Sequence, residues 1–338
     1  MSQQYPGGFL CYKTVPATAS SASGIWTLEQ AMQYKKANSW PGDGLYSFTN
    51  ATFTNGGQTG PTGPSLPQAL SGLTGTGVDS WKNNSNYFTV AEGIQLWVVP
   101  KTGSYRIEVW GAQGGTCAIS GETGGFGARM RGDFSLTQGQ VIQILVGQRG
   151  HDTGYCAGGG GGTFVALGSN RSTASPLIIA GGGGGGGNSG GVGRGGVTTT
   201  DGSPSSGYGG GSGISGTNGN GGSGSNGGWG ESGAGFLTDS TSSKSVWSAT
   251  RDTSCILSFK NGGRGASPWP SGSGSCISAG GGFGGGGGGG CNGGGGGGGY
   301  SGGGGGGCGG GSYNIGTNQS NSDATKSGHG QVTITLVA

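Results

Sequence analysis

An antiparallel β-sandwich carrying glycine-rich insertions is the fold this sequence predicts, and three observations carry the prediction. Segments that alternate apolar and polar residues, rich in β-branched and aromatic side chains, recur at short spacing from about residue 86. Runs of five to seven glycines abut such segments directly, as in AGGGGGTFVAL and PLIIAGGGGGGG. A last apolar alternation, residues 331 to 337, follows the final glycine run. A closing strand so late in the chain implies that the glycine runs loop out from one sandwich.

Composition narrows the classes. The chain has 338 residues, of which 94 are Gly, and only 9% are charged, with a formal net charge of +3. That balance gives no electrostatic footprint for nucleic acid or an acidic membrane surface. With 11 Pro and no Gly-X-Y register, collagen is excluded. With 8 Trp, 10 Tyr and 10 Phe, the chain is too aromatic for a disordered linker. The length allows one or two domains with a real core. The start, MSQQYPGGFLCYKTVPATAS, lacks a basic stretch followed by an apolar one, and no run is long enough to span a membrane. The expectation is synthesis and assembly in a cytoplasm. Seven cysteines, an odd count, argue against a complete disulfide framework. A protein assembled inside a cell and working outside it fits both facts.

Three regions follow in order. In residues 1–50, ASGIWTLEQAMQYKKANSWP has capping-box spacing between Thr27 and Gln30, a helical period through Leu28, Ala31, Met32 and Lys35, and stop signals at Asn38 and Pro41. This predicts a helix over about 27–37, too short to be stable alone. Its apolar residues, with Trp26 and Trp40, either pack on their own domain or dock on another protein. Residues 51–82, rich in Gly, Pro, Ser and Thr, read as an arm or linker. Residues 83–338 hold the predicted strands: NYFTV, IQLWVVP, GSYRIEVWGAQGG, GDFSLTQGQVIQILVGQRG, TFVALG, PLIIAGG, SCILSF and GQVTITLVA.

The glycine runs cover residues 158–162, 181–187, 284–290, 293–299 and 302–307. Side by side, such segments can adopt the extended helix of three residues per turn, polyglycine II, whose N–H and C=O groups point outward in three directions. Without Cβ atoms the helices can approach and exchange hydrogen bonds, and a side chain inside the bundle would wedge it apart. Ordering costs about 1–2 kcal/mol per residue, while each net hydrogen bond returns about 0.5–1.5 kcal/mol. A lattice of this kind therefore needs many partners and anchored ends.

In the order of the chain, VPKTGSYRIEVWGAQGG, DFSLTQGQVIQILVGQRGHD, AGGGGGTFV, PLIIAGGGGG, GGFGGGGGGGCNGGGGGGGYSGG and GHGQVTI resemble the extracellular glycine-rich domain of the anaplastic lymphoma kinase and leukocyte tyrosine kinase receptors. The resemblance spans residues 83–338 and implies a jelly-roll sandwich, similar to tumour necrosis factor, with inserted polyglycine helices. It also implies a disulfide between Cys276 and Cys291. No kinase domain or membrane span is visible, so receptor kinase function does not carry over. The N-terminal segment resembles one found in tailed-phage virion proteins, and glycine-rich lattices resemble the adhesin tips of some phage tail fibres.

Signals for chemistry are weak. No Gly-Lys pair is present for a phosphate-binding loop, and there is no C-x-x-C for zinc. His151 and His329, the two histidines, read as structural or solvent-facing. Neither a catalytic constellation, a metal site nor a cofactor site is expected. Aromatics among small residues are the better signal, because flat apolar faces suit protein and sugar recognition. Trp229, Trp247, Trp269, Tyr208 and Tyr313 are candidate receptor-binding residues, while Phe283 and Tyr300, inside the runs, read as seals of the glycine lattice. The function expected is that of a non-enzymatic phage virion protein, a tail fibre or adhesin recognising a host-surface glycan or protein. Trp26, Leu28, Met32 and Trp40 would anchor it to other virion proteins, and a homotrimer follows by analogy. A purely architectural virion component, or an extracellular or bacterial surface binding module, are the alternatives.

Overall fold

The computed structural model describes residues 27–36, 44–153, 155–188, 191–204, 213–223, 230–241, 256–268 and 279–337. Helix α1 (Leu28–Lys36) begins where the capping-box spacing puts it. Thr27 N–H donates to Gln30 Oε1 at 3.0 Å, and Gln30 N–H donates to Thr27 Oγ1 at 3.2 Å. Its Leu28 and Met32 are exposed, while Trp26 and Trp40 lie outside the described residues.

Two antiparallel sheets make the body. The first runs β1-β11-β4-β5-β10, formed by Asn50–Phe53, Gln331–Leu336, Gly103–Trp110, Gly127–Leu136 and Ser322–Lys326. The second runs β2-β3-β6-β7-β8-β9, formed by Phe88–Ala91, Ile94–Val98, Val141–Leu145, Thr163–Leu167, Ser175–Ala180 and Tyr313–Asn314. β4 pairs with β5 in one sheet while β3 pairs with β6 in the other. The chain between β3 and β6 is thus one long hairpin folded across both sheets, the Greek-key connection of a jelly roll. The late strand β11 fills the space between β1 and β4, as the position of the final alternation requires.

Alternation decides which side chains fill the space between the sheets. In β4, Tyr105, Ile107 and Val109 are fully buried while Arg106 and Glu108 face outward. Across the sandwich they join Trp97, Ile142, Ile144, Val165 and Ile178. The outward Arg106 forks onto Asp133, with Nε to Oδ1 at 2.8 Å and Nη2 to Oδ2 at 3.0 Å, a bidentate pair that holds the Asp133 carboxyl below its usual range.

The region expected to be an arm, residues 51–82, is instead part of the sandwich. β1 pairs with β11 from Asn50↔Thr335 to Phe53↔Val332. Phe53, Ala69, Leu73, Val78 and Trp81 are buried in the same core, as is Tyr46 just before them. Trp81 is stacked on Tyr46 with ring centroids 5.2 Å apart. A short helix, α2 (Leu66–Gly72), starts at Ser65, whose N–H donates to Gln68 Oε1 at 2.8 Å. The Gly, Pro and Ser content supplies turns between short core-forming pieces rather than a flexible tether. The expected strand SCILSF is also corrected. Its described residues form no strand, because Ile256 and Phe259 reach buried clusters from a loop and a 3₁₀ turn.

A candidate glycine-built platform

The outer face of the six-stranded sheet carries the platform. β7 is buried on both faces: Val165 points into the sandwich core and Phe164 into a second cluster outside it. This explains why TFVAL is apolar without alternation. From Phe164 a row of rings runs outward. Phe164 and Phe259 are 5.3 Å apart, Phe259 and Phe236 5.0 Å, Phe236 and Tyr300 6.4 Å, and Tyr300 and Tyr313 4.5 Å. Phe283 is buried in the same cluster, and Tyr300 packs against it half-exposed. Tyr313 lies in β9, half-buried and stacked on Tyr300. It ends this row rather than standing free on a loop.

Over the row the glycine runs are joined by backbone hydrogen bonds in a regular pattern. In the run 293–299, Gly295 N–H donates to Ala157 O and Gly298 N–H to Gly160 O, both at 2.9 Å. One residue on, Gly296 and Gly299 donate to Glu231 and Ala234. Gly297 donates in a third direction, to Cys308 O at 2.8 Å. The acceptors repeat likewise: Gly294 and Gly297 carbonyls receive from Gly306 and Gly303, and Gly295 and Gly298 carbonyls from Gly185 and Gly182. Every third residue of the run thus meets the same neighbouring segment. The neighbours stand so close that a Cβ on Gly295, Gly297 or Gly298 would lie 2.1, 2.1 or 1.9 Å from a carbonyl oxygen.

Tyr208, Trp229, Trp247 and Trp269 lie outside the described residues, but the chain on either side of each is tied down. Around Tyr208, Ser203 N–H donates to Gly309 O and Gly213 N–H to Gly305 O. Around Trp229, Ser223 donates to Ile214 O and Glu231 to Gly288 O. Thr241 donates to Gly222 O and Leu257 to Arg264 O on the two sides of Trp247. Ala266 donates to Gly286 O and Gly289 to Ala279 O around Trp269.

Cys291 is in a disulfide, and its expected partner Cys276 lies outside the described residues. Cys117, Cys156 and Cys308 are buried free thiols. Burial pushes the Cys156 thiol up to about 12 and also raises Cys308. Alkylation requires the thiolate, present at Cys156 as roughly one part in ten thousand at pH 8. Peptide mapping after brief treatment of the native protein with iodoacetamide at that pH should leave Cys156 and Cys308 unmodified, with both labelled once the chain is denatured. His329 is half-buried, its imidazole held below its usual range by burial and by Arg149, and its Nδ1 accepts from Arg149 N–H at 3.1 Å. That is a structural role. No group of three His, Cys, Asp or Glu among the described residues is arranged to hold a metal, and no described helix is long and apolar enough to cross a membrane.

A cleft that no sequence pattern announced opens beside the platform, with a volume of about 580 Å³. The stretch 58–68 forms one wall, the β2–β3 turn another, and the loop 257–264 a third, with Phe283 at the base. Its residues come from four separate parts of the chain, so spacing could not reveal it.

No family model matches the chain. A stretch of 107 residues is 36% identical to leukocyte tyrosine kinase receptor from Mus musculus, a match covering 32% of this chain and 12% of the receptor. The chain is therefore similar, over about a third of its length, to a segment of that receptor, a narrower relation than the expected span of 83–338.

Proposed function

We propose that this chain is a non-enzymatic virion protein of the tail-fibre or adhesin type, exposed on a phage particle and recognising a host-surface glycan or protein. The observation that carries the reading is the glycine array with its spliced-in segments. The described residues before and after each of Tyr208, Trp229, Trp247 and Trp269 are held by backbone hydrogen bonds. A rigid base lowers the entropy lost when aromatic anchors engage a partner. The three-residue repeat of donors and acceptors supports reading the runs as polyglycine II helices. The exposed Leu28 and Met32 of α1 support attachment of the N-terminal segment to other virion proteins. A homotrimer rests on analogy with similar sandwiches alone.

The test is competition. Purified protein should bind cells of the bacterium that the particle infects and block infection. Replacing Trp229, Trp247 and Trp269 together with alanine should weaken cell binding at least about tenfold, the scale of one interface hot spot, with the melting temperature unchanged. A protein that neither binds nor blocks is an architectural component, and the recognition reading then fails.

A further inference from the structure

The cleft beside the platform is pre-shaped by backbone contacts. Phe283 N–H donates to Gly60 O at 2.8 Å, and Gly265 N–H to Pro61 O at 2.9 Å. Gln148 Nε2 donates to Thr62 O at 2.9 Å. These bonds tie the wall 60–62 to the base. At the β2–β3 turn, a Cβ on Gly93 would lie 2.4 Å from Gly63 Cα, so the two walls meet as closely as backbone allows. A volume of about 580 Å³ falls within the range of small-ligand sites.

Its polar groups select a ligand class. Arg264 lines the cleft, and one guanidinium nitrogen, Nη2, donates to Ser267 Oγ at 2.8 Å. The guanidinium brings a positive charge to the cleft. The acidic residue at the rim does not neutralise it, because Glu92 is paired with Arg171 Nη1 at 2.7 Å. Asn261 spends its amide nitrogen on Asp239 Oδ1 at 2.9 Å, which leaves its carbonyl to accept. Phe283, Leu66 and Val90 supply apolar surface. An apolar occupant or a neutral sugar would leave the guanidinium charge of Arg264 unmatched. A pyranose ring bearing a carboxylate answers all three features: the carboxylate meets the guanidinium, a hydroxyl donates to Asn261, and the ring lies on the apolar base.

We propose that this cleft binds an acidic saccharide of the uronic-acid class, with Arg264 receiving the carboxylate. The assignment stands apart from the tryptophan-bearing segments and does not need them. Titration calorimetry of the full chain should show binding of tetragalacturonate, weakening as salt rises, and at least about tenfold weaker binding of neutral maltotetraose. Arg264→Gln should lose about tenfold or more for the uronate, as expected for a charge-assisted bond, and Arg264→Lys should recover part of it. Asn261→Ala, at an exposed rim position, gives a second readout should Arg264→Gln misfold, with an expected loss of a few-fold. No binding of tetragalacturonate by the unaltered chain, or equal affinity in the unaltered chain and the altered ones, overturns the assignment. A chain that binds cells but not the uronate loses this cleft assignment alone; one that binds the uronate but not cells loses the recognition reading alone.

Discussion

Replacing Gly298 with alanine is expected to destabilise the native protein by about 3 kcal/mol, the upper part of the range for overpacking a filled interior. The reason is local and steric. An added Cβ would sit 1.9 Å from the Gly284 carbonyl oxygen. Relief requires the run 293–299 to move away from its neighbours. That movement stretches the bonds from Gly182 to Gly298 and from Gly298 to Gly160, at 2.8 and 2.9 Å. Those two bonds belong to runs that also bond one another, Gly160 to Gly183, so the strain spreads rather than being absorbed by one flexible side chain. Gly191 is the matched control, because among the described residues the nearest atom to its added Cβ is Gly187 Cα at 3.9 Å, and its φ is not positive. Alanine there should be neutral or slightly stabilising, through lower entropy of the unfolded chain. The signs therefore oppose. In an unstructured linker both substitutions would act alike. Denaturant unfolding followed by circular dichroism checks this, and equal midpoints for the two variants would reject an ordered packing of the runs.

The sandwich was legible because its signal is periodic. GSYRIEVW alternates over a whole strand, and the side chains it sends inward are the ones found buried. The capping box at Thr27 and Gln30 was legible for a related reason, since both partners lie within four residues. The same signature at Ser65 and Gln68 was hidden inside a Pro- and Gly-rich context that suggested a linker. β1 was missed because a four-residue strand carries only two inward side chains, Ala51 and Phe53, too few to establish a period. SCILSF looked like a strand because apolar side chains can reach a core from a loop as well as from a sheet. β10 (SDATK) shows the opposite failure: its residues are mostly exposed and polar, and pairing with β5, not burial, makes it a strand. Within the platform, the need for pure glycine could be reasoned from sterics, but the partner of each run could not. Only the runs 158–162 and 181–187 adjoin β7 and β8, and many of the partners of the others lie far away in sequence. The cleft was illegible for the same reason, as Arg264, Asn261, Glu92 and Phe283 converge only after folding.

Trp81→Ala is expected to cost about 3–5 kcal/mol, the range for removing a large aromatic from a packed core. Trp81 is fully buried, stacked on Tyr46 at 5.2 Å and edge-on to Phe88 at 6.3 Å. Its indole N–H is buried without a hydrogen-bond partner, which sharpens the test. Trp81→Phe keeps a ring against Tyr46 and removes a donor that had nothing to donate to. Its cost should be well below that of alanine, because the smaller cavity is offset by the lost desolvation penalty. Were residues 51–82 a tether, neither change would move the unfolding midpoint. The same logic sets the boundary of the folded unit. A chain beginning at residue 83 lacks β1, so β11 is left as an unpaired edge, and it lacks Tyr46, Phe53, Leu73, Val78 and Trp81 from the core. It should fail to give a cooperative transition, whereas a chain beginning at residue 44 should keep one. Cooperative unfolding of the shorter chain at the full-length midpoint would return residues 44–82 to the role of an appended arm.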